Sequence, residues 1–352
     1  MNNRQRNFIG GEARRDGFVH SFESIISKDN LLSAWREFKR GKGKKIDVQR
    51  FAFYLEDNIW ALHQALANKT YQHGAYARFY VRDPKLRLIS KAGVSDRLLH
   101  HAIFRVLDPV FDLGFIYDSC SCRLGKGIHQ GIGRLAKLAG QCSKNYVGSC
   151  YALQGDIKKF FDNIDHDILF SLIAKKIADQ DTLRLIRIII DSFNQTTGRG
   201  LPLGNVTSQL FANIYLNELD QFVKRELRVK YYLRYCDDFV ILHDDTDYLR
   251  RLTPIIKQWL KQKLELDLHP QKISIRKLRQ GIDWLGYVTF PHYRLLRAKT
   301  KKRMIKKIKS QSQDYANGYL AGDSFNQTLQ SYYGLLSHGK CYTIKRLIQY
   351  QP

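Results

Sequence analysis

The segment YYLRYCDDFVILHDD, residues 231–245, constrains the fold more tightly than any other part of the chain. Tyr231, Tyr232, Tyr235, Phe239, Val240 and Ile241 are aromatic or β-branched and predict two short strands, with the adjacent carboxylates Asp237 and Asp238 at the tip of their hairpin. Two explanations compete for those acids. Asp tolerates the unusual dihedrals of a tight turn and is common there. A hairpin also holds two hard oxygen ligands rigidly at one point, which suits a divalent cation such as magnesium.

The chain has 58 Lys and Arg against 33 Asp and Glu, a formal net charge of +25, and 44% hydrophobic residues. That content supports a buried core in one large domain or two to three subdomains, and the basic surplus points to a polyanion, nucleic acid first. No apolar run approaches the roughly 18 residues of a spanning helix, and the N-terminus lacks the apolar core of a signal peptide. A membrane partner is therefore not expected, and the expected compartment is the cytoplasm. The six cysteines at 120, 122, 142, 150, 236 and 341 are expected as thiols, and the CSC at 120–122 does not have a zinc spacing. His100 and His101 are expected to pack in a mixed helix or at the surface.

No internal repeat or low-complexity tract interrupts the chain. The first 45 residues are polar and basic and end in KRGKGKK, which predicts a mobile arm or a short helix with a basic linker. Helical spacing runs from Ile46 to Leu66, and residues 74–91 read as two strands around a turn at Asp83-Pro84. A helix from Ser95 is expected to end at Asp108-Pro109. YALQGD begins the centre as a strand, Asp165 caps a helix, Asp181–Phe193 forms another, and the loop GRGLPLG opens a long helix over Asn205–Leu227. After the acidic hairpin come a helix over Asp247–Leu264 and strands at ISIRKL and WLGYVTF, an order that predicts an α+β fold with helices on one face of a sheet. In the tail, eight cations fall within Arg297–Lys309 without an acid, beside an apolar stripe of Leu296, Met304, Ile305 and Ile308. Phosphate contact explains that run best. A second tail helix is expected to start with Asp323 as its cap.

Asp156 ends the strand YALQGD, where a carboxylate beside the hairpin tip completes a set of acids from separate elements. Metal-assisted phosphoryl transfer needs such a set, because two ions must serve both the attacking and the leaving oxygen. DIKKFFDNIDH, LPLGNVTSQLFANIYLNELD, YCDD, the lysine of HPQKISI and WLGY stand in the order and spacing of the palm motifs of reverse transcriptases, a family this chain resembles over roughly Phe79–Tyr350. KLRLISKAGVSDR and CRLGKGIH resemble its fingers, and the basic tail resembles its thumb.

The resemblance implies a right-hand polymerase: a basic N-terminal extension (1–45), fingers with the start of the palm (46–150), a palm of antiparallel sheet backed by helices (151–292), and a small helical thumb (293–352). It implies that Asp156 and Asp237 bind two Mg2+ ions, for which Mn2+ can substitute, with the Ile157 carbonyl as a further ligand and Asp238 as a third acid. Lys272 then protonates the departing pyrophosphate. Lys85, Arg87 and Arg123 resemble the cations that grip the triphosphate, and Phe161 resembles the steric gate against a 2′-hydroxyl. Trp284, Leu285, Gly286 and Tyr287 resemble the primer grip, and Lys299, Lys302, Arg303 and Lys306 belong to the nucleic-acid-binding tail. Template RNA, a DNA or RNA primer and dNTPs are the implied partners.

One departure narrows the resemblance. Most reverse transcriptases carry LPQG followed by SP, whereas this chain has Leu201-Pro202-Leu203-Gly204 and Ser208-Gln209. An aliphatic residue before the glycine, paired with SQ, resembles the enzymes of diversity-generating retroelements, which copy RNA with frequent errors at adenines and work with a small basic oligomeric accessory protein. Leu203 cannot donate the hydrogen bond a glutamine amide offers an incoming nucleotide. An accurate group II intron-like or phage-defence reverse transcriptase is the alternative, the former expected to extend beyond the thumb. A non-catalytic RNA-binding scaffold is the alternative from another class.

Overall fold

The computed structural model describes residues 21–82, 86–342 and 346. In chain order, α1 (Ser21–Ile26), α2 (Lys28–Lys39), α3 (Ile46–Phe53) and α4 (Leu55–Ala67) precede the paired strands β1 (Ala77–Arg82) and β2 (Leu86–Lys91). Then α5 (Val94–Asp112) and α6 (Ile128–Cys142) lead to β3 (Tyr151–Asp156), followed by α7 (Phe160–Asn163), α8 (His166–Ala174), α9 (Gln180–Asp191) and α10 (Val206–Gln221). The last of these runs on into a π-helical turn, Phe222–Glu226. Next come β4 (Tyr231–Tyr235), β5 (Asp238–His243), α11 (Thr246–Leu264), β6 (Ser274–Lys277), β7 (Ile282–Trp284), β8 (Tyr287–Thr289), β9 (Arg294–Leu296), α12 (Ala298–Ala316) and α13 (Gly322–Ser337). Among the described residues, no helix is long and apolar enough to cross a membrane.

These elements form two compact units, a mixed helical and antiparallel-sheet architecture. One gathers the described residues up to Phe115 with Lys159–Glu218 and Gln262–Leu266; the other gathers Ile116–Lys158, Leu219–Lys261 and the described residues from Asp267 onward.

In the first unit, residues 21–39, read from the sequence as part of a mobile arm or a short helix, form two packed helices. Leu31, Ala34, Trp35 and Phe38 make a buried stripe on α2, which packs against α5. The large apolar side chains among these contribute about 1.5–3 kcal/mol each when fully buried, enough to order a segment whose other face is polar. Pro109 does not end α5. The helix continues to Asp112, because Phe111 extends the buried face beyond the proline. Asp165 caps α8 by accepting from Asp167 and Ile168 N–H, as its sequence position predicts. The α9 cap is Asp179, two residues before the expected helix start at Asp181. Asp179 also accepts from Phe22 N–H at 2.7 Å, a long-range partner that sequence spacing does not reveal.

The second unit contains an antiparallel sheet in the order β4-β5-β3-β6. Leu135, Leu138, Ala139 and Cys142 of α6 pack with Ala152, Leu233, Val240 and Leu242 from three of its strands. A smaller sheet has the order β7-β8-β9. WLGYVTF therefore spans a hairpin and not one strand: Leu285 and Gly286 form the two-residue connection with φ of +50° and +88°. Positive φ at both positions belongs to a type I′ turn, whose twist suits two paired strands. Met304 and Ile308 of α12, Leu336 of α13, and Tyr287 and Leu296 of the small sheet share a core. Leu296 thus enters that core from β9 and not from the basic helix. The α13 cap position is Ala321, with Asp323 inside the first turn.

Candidate active site

The acids assemble within the second unit because β3 lies between β5 and β6. Strand register sets Asp156 opposite Asp238 and Gly155 opposite Phe239. A Cβ on Gly155 would stand 2.3 Å from Cζ of the Phe239 ring, so the absence of a side chain lets that ring lie over β3 immediately before its acid. The hairpin tip differs from the sequence expectation. Asp237 is the second residue of a two-residue turn and Asp238 is the first residue of β5. The left-handed conformation falls on Cys236, at φ +54°, and on neither aspartate. Turn dihedrals consequently give no reason for two acids here.

Backbone bonds tie the strand end to the turn. Ile157 N–H donates to the Asp237 carbonyl at 3.2 Å, His269 N–H to the Asp156 carbonyl at 2.8 Å, and Lys158 N–H to the Asp267 carbonyl at 2.8 Å. Together they fix Asp156, Ile157 and Asp237 relative to one another on paired backbone, a more rigid support than a free loop.

The electrostatics are those of crowded, desolvated anions. Burial, the hydrogen bond with Asp156, and the charges of Asp237 and Asp156 push the Asp238 carboxyl up to about 7. Asp237 is also raised, first by burial and then by Asp156, while its own backbone N–H, Cys236 and Lys272 partly offset the effect. Lys272 answers the negative charge directly, its Nζ lying 2.7 Å from Asp156 Oδ2. A cleft of about 370 Å³ opens here, lined by Asp156, Asp238, Lys272, Trp284, Leu285 and Arg297 among others.

No three His, Cys, Asp or Glu side chains among the described residues form a ready metal cluster. The donor set nevertheless fits a hard divalent cation: carboxylate oxygens from separate backbone elements, partly buried and crowded together beside one cleft.

The primer-grip candidates divide. Trp284 and Leu285 line the cleft, and Gly286 completes their turn. Tyr287 is buried in the core shared with α12 and α13 and donates its hydroxyl to the Leu335 carbonyl at 2.8 Å. Arg123 Nη1 donates to the carbonyls of Ile116 at 2.7 Å and Ser119 at 3.0 Å, bracing the loop that carries it. Lys299, Lys302, Arg303 and Lys306 are exposed on α12.

Other candidates lie in the first unit. Phe161 is half-buried on α7 against Phe160, which belongs to the core, and the Phe161 carbonyl accepts from Leu201 N–H at 2.8 Å. Leu203 is half-buried in the loop before α10, where its carbonyl accepts from Ser90 N–H at 3.3 Å. Gln209 is exposed on α10 and Arg87 is exposed on β2. Lys85 lies outside the described residues.

Sequence reading missed Asp220 and Arg234, both fully enclosed behind the acidic turn. A signal existed: Arg234 is the one charge in the strand YYLRY, and Asp220 is an acid in the last turn of a largely apolar helix. Solvated charges are so common in this basic chain that neither stood out.

A family model described as reverse transcriptase (RNA-dependent DNA polymerase) matches residues 81–289, more than half of the chain. The group II intron-encoded protein LtrA of Lactococcus lactis subsp. cremoris is 27% identical over 227 residues, covering 61% of this chain and 36% of LtrA. An uncharacterized 91 kDa protein in the cob intron of Schizosaccharomyces pombe is 32% identical over 218 residues, or 60% of this chain and 25% of that protein. Protein YkfC of Escherichia coli K12 is 23% identical over 307 residues, covering 76% of this chain and 78% of YkfC. The chain thus spans only about a third of the length of LtrA.

Proposed function

Because the chain belongs to the reverse transcriptase family, we propose that it copies an RNA template into cDNA from a DNA or RNA primer, as a right-hand polymerase with the fingers, palm and thumb limits given above. The observation that carries this reading is the grouping of Asp156, Asp238 and Lys272 on one cleft, with Asp237 in the adjoining turn. Two divalent ions, Mg2+ or Mn2+, held by Asp156, Asp237, Asp238 and the Ile157 carbonyl would activate the primer hydroxyl and stabilise the leaving oxygen.

The chain's own groups supply the rest. Lys272, whose Nζ lies 2.7 Å from Asp156 Oδ2, is assigned the delivery of a proton to pyrophosphate. Trp284 and Leu285 present an apolar wall against which a primer end can be oriented. Lys85, Arg87 and Arg123 are assigned to the triphosphate, whose oxygens match guanidinium and ammonium donors. Phe161 is assigned the exclusion of a 2′-hydroxyl by shape. The exposed cations of α12 contact the nucleic-acid backbone.

Within this function we favour an error-prone, diversity-generating enzyme that works with a small basic oligomeric accessory protein and no membrane. Leu203 supports that choice, because an aliphatic side chain leaves out a hydrogen bond that would help to fix the nucleotide's pose. The similarity to LtrA favours a second reading, an accurate intron-type enzyme. Sequencing cDNA made on a defined RNA template separates them. Errors concentrated at template adenines and reduced by Leu203→Gln are expected; accurate copying by the unaltered protein would establish the second reading, and errors indifferent to the substitution would remove Leu203 from the account.

A further inference from the structure

Behind the acidic turn lies a buried ion pair that stability alone does not explain. Arg234 is 1% exposed and Asp220 is fully buried. Arg234 Nε and Nη2 donate to the two Asp220 carboxylate oxygens at 2.7 and 2.6 Å, and Nη2 also donates to Ser119 Oγ at 3.0 Å. The Tyr232 hydroxyl donates to Asp220 Oδ1 at 2.8 Å, holding the carboxylate from another side. Replacing a buried pair of this kind with apolar side chains often leaves a protein as stable or more so.

A further hydrogen bond gives the pair a purpose. Arg234 Nη1 donates to the carbonyl of Cys236 at 3.1 Å. Cys236 is the residue of the acidic turn with φ +54°, a conformation unfavourable for a side chain with a Cβ and kept only where surrounding contacts enforce it. The Arg234 backbone is itself anchored: its N–H donates to the Asp118 carbonyl at 3.0 Å, and its carbonyl accepts from Cys120 N–H at 2.8 Å. Arg134 of α6 grips the Asp118 carboxylate at 2.6 and 3.0 Å, which secures that loop in turn.

We infer that Arg234 is a positioning residue: oriented by Asp220, it clamps the Cys236 carbonyl and thereby holds the turn that sets Asp237 and Asp238 toward Asp156. The inference rests on the reading of those three acids as metal ligands. A planar guanidinium is needed because one face of the fork must satisfy both carboxylate oxygens while another N–H reaches the turn; a lysine ammonium cannot span both.

The test compares the unaltered protein with Arg234→Met combined with Asp220→Leu, and with Arg234→Lys. Melting is followed by circular dichroism, Mn2+ binding by electron paramagnetic resonance, and kcat and the KM for dNTP by primer extension. The double variant is expected to melt close to the unaltered protein, to bind Mn2+ on the order of 10-fold more weakly, and to turn over on the order of 10²-fold more slowly with little change in KM. A folded double variant with unaltered Mn2+ affinity and kcat overturns the inference. If the double variant does not fold, Arg234→Lys decides by the same two readouts: decreases in both sustain the inference, and unaltered values overturn it. Failure of the unaltered protein to bind Mn2+ or extend a primer would instead count against the polymerase reading.

Discussion

At Gly155 a single methyl group separates a working strand end from a blocked one, because the Phe239 ring already occupies the space a Cβ would take. Gly155→Ala is expected to cost about 1–3 kcal/mol, the usual penalty of overpacking, and to lower activity by moving β3 against β5. Thermal melting with parallel primer extension checks this; an unchanged melting temperature would show that the ring relocates freely. Phe161→Ala should relax sugar selection, shifting the ratio of dNTP to rNTP incorporation toward rNTP by roughly 10- to 100-fold. Single-nucleotide extension measures that ratio, and an unmoved value would return Phe161 to a packing role. Asp156, Asp237 and Asp238 stood out in the sequence as candidates because carboxylates within apolar strands conflict with burial unless a cation is involved. Arg234 and Asp220 satisfy each other, and a matched pair leaves no such conflict to read until the fold brings residues 14 positions apart together.

Element boundaries were legible where the deciding interaction is local and illegible where it is long-range. Asp165 caps α8 through its own next turn, whereas the α9 cap Asp179 also receives Phe22 from far along the chain. Pro109 reads as a stop from local rules, yet α5 passes through it because Phe111 is buried beyond. The hairpin β7–β8 was hidden because Leu285 in a left-handed conformation violates the preference that turn prediction relies on. For α12, the separation of a buried stripe from an exposed basic face follows directly from helical spacing. If that face binds phosphates, replacing Lys302 and Lys306 together with Ala should lower the slope of log affinity against log salt by about 0.7–0.9 for each phosphate that is no longer neutralised. Binding to an RNA–DNA hybrid across a salt series measures it, and an unchanged slope would leave the cations solvated.

At the scale of the whole molecule, stability should depend on pH through one compact unit and on divalent ions through the other. His100 is pushed down to about 3, chiefly by burial and then by His73, His101 and Arg97. The unfolded chain therefore binds a proton that the folded one refuses, so stability present above about pH 6.5 is lost as pH falls toward 3. Substituting His100→Gln should flatten the melting temperature between these limits, and an unaltered profile would contradict the buried neutral imidazole. The crowded carboxylates predict that Mg2+ at a hundred times its dissociation constant raises stability by about 2.7 kcal/mol. Whether Asp156, Asp237 and Asp238 organise metal-dependent synthesis of DNA on RNA is decided by Mg2+-dependent primer extension on a defined RNA template with the unaltered protein beside Asp237→Asn. Extension is expected from the former and its loss in the latter while the melting temperature without metal stays level or rises, since one of three repelling acids is gone; equal extension by both proteins would rule out this role for the acids.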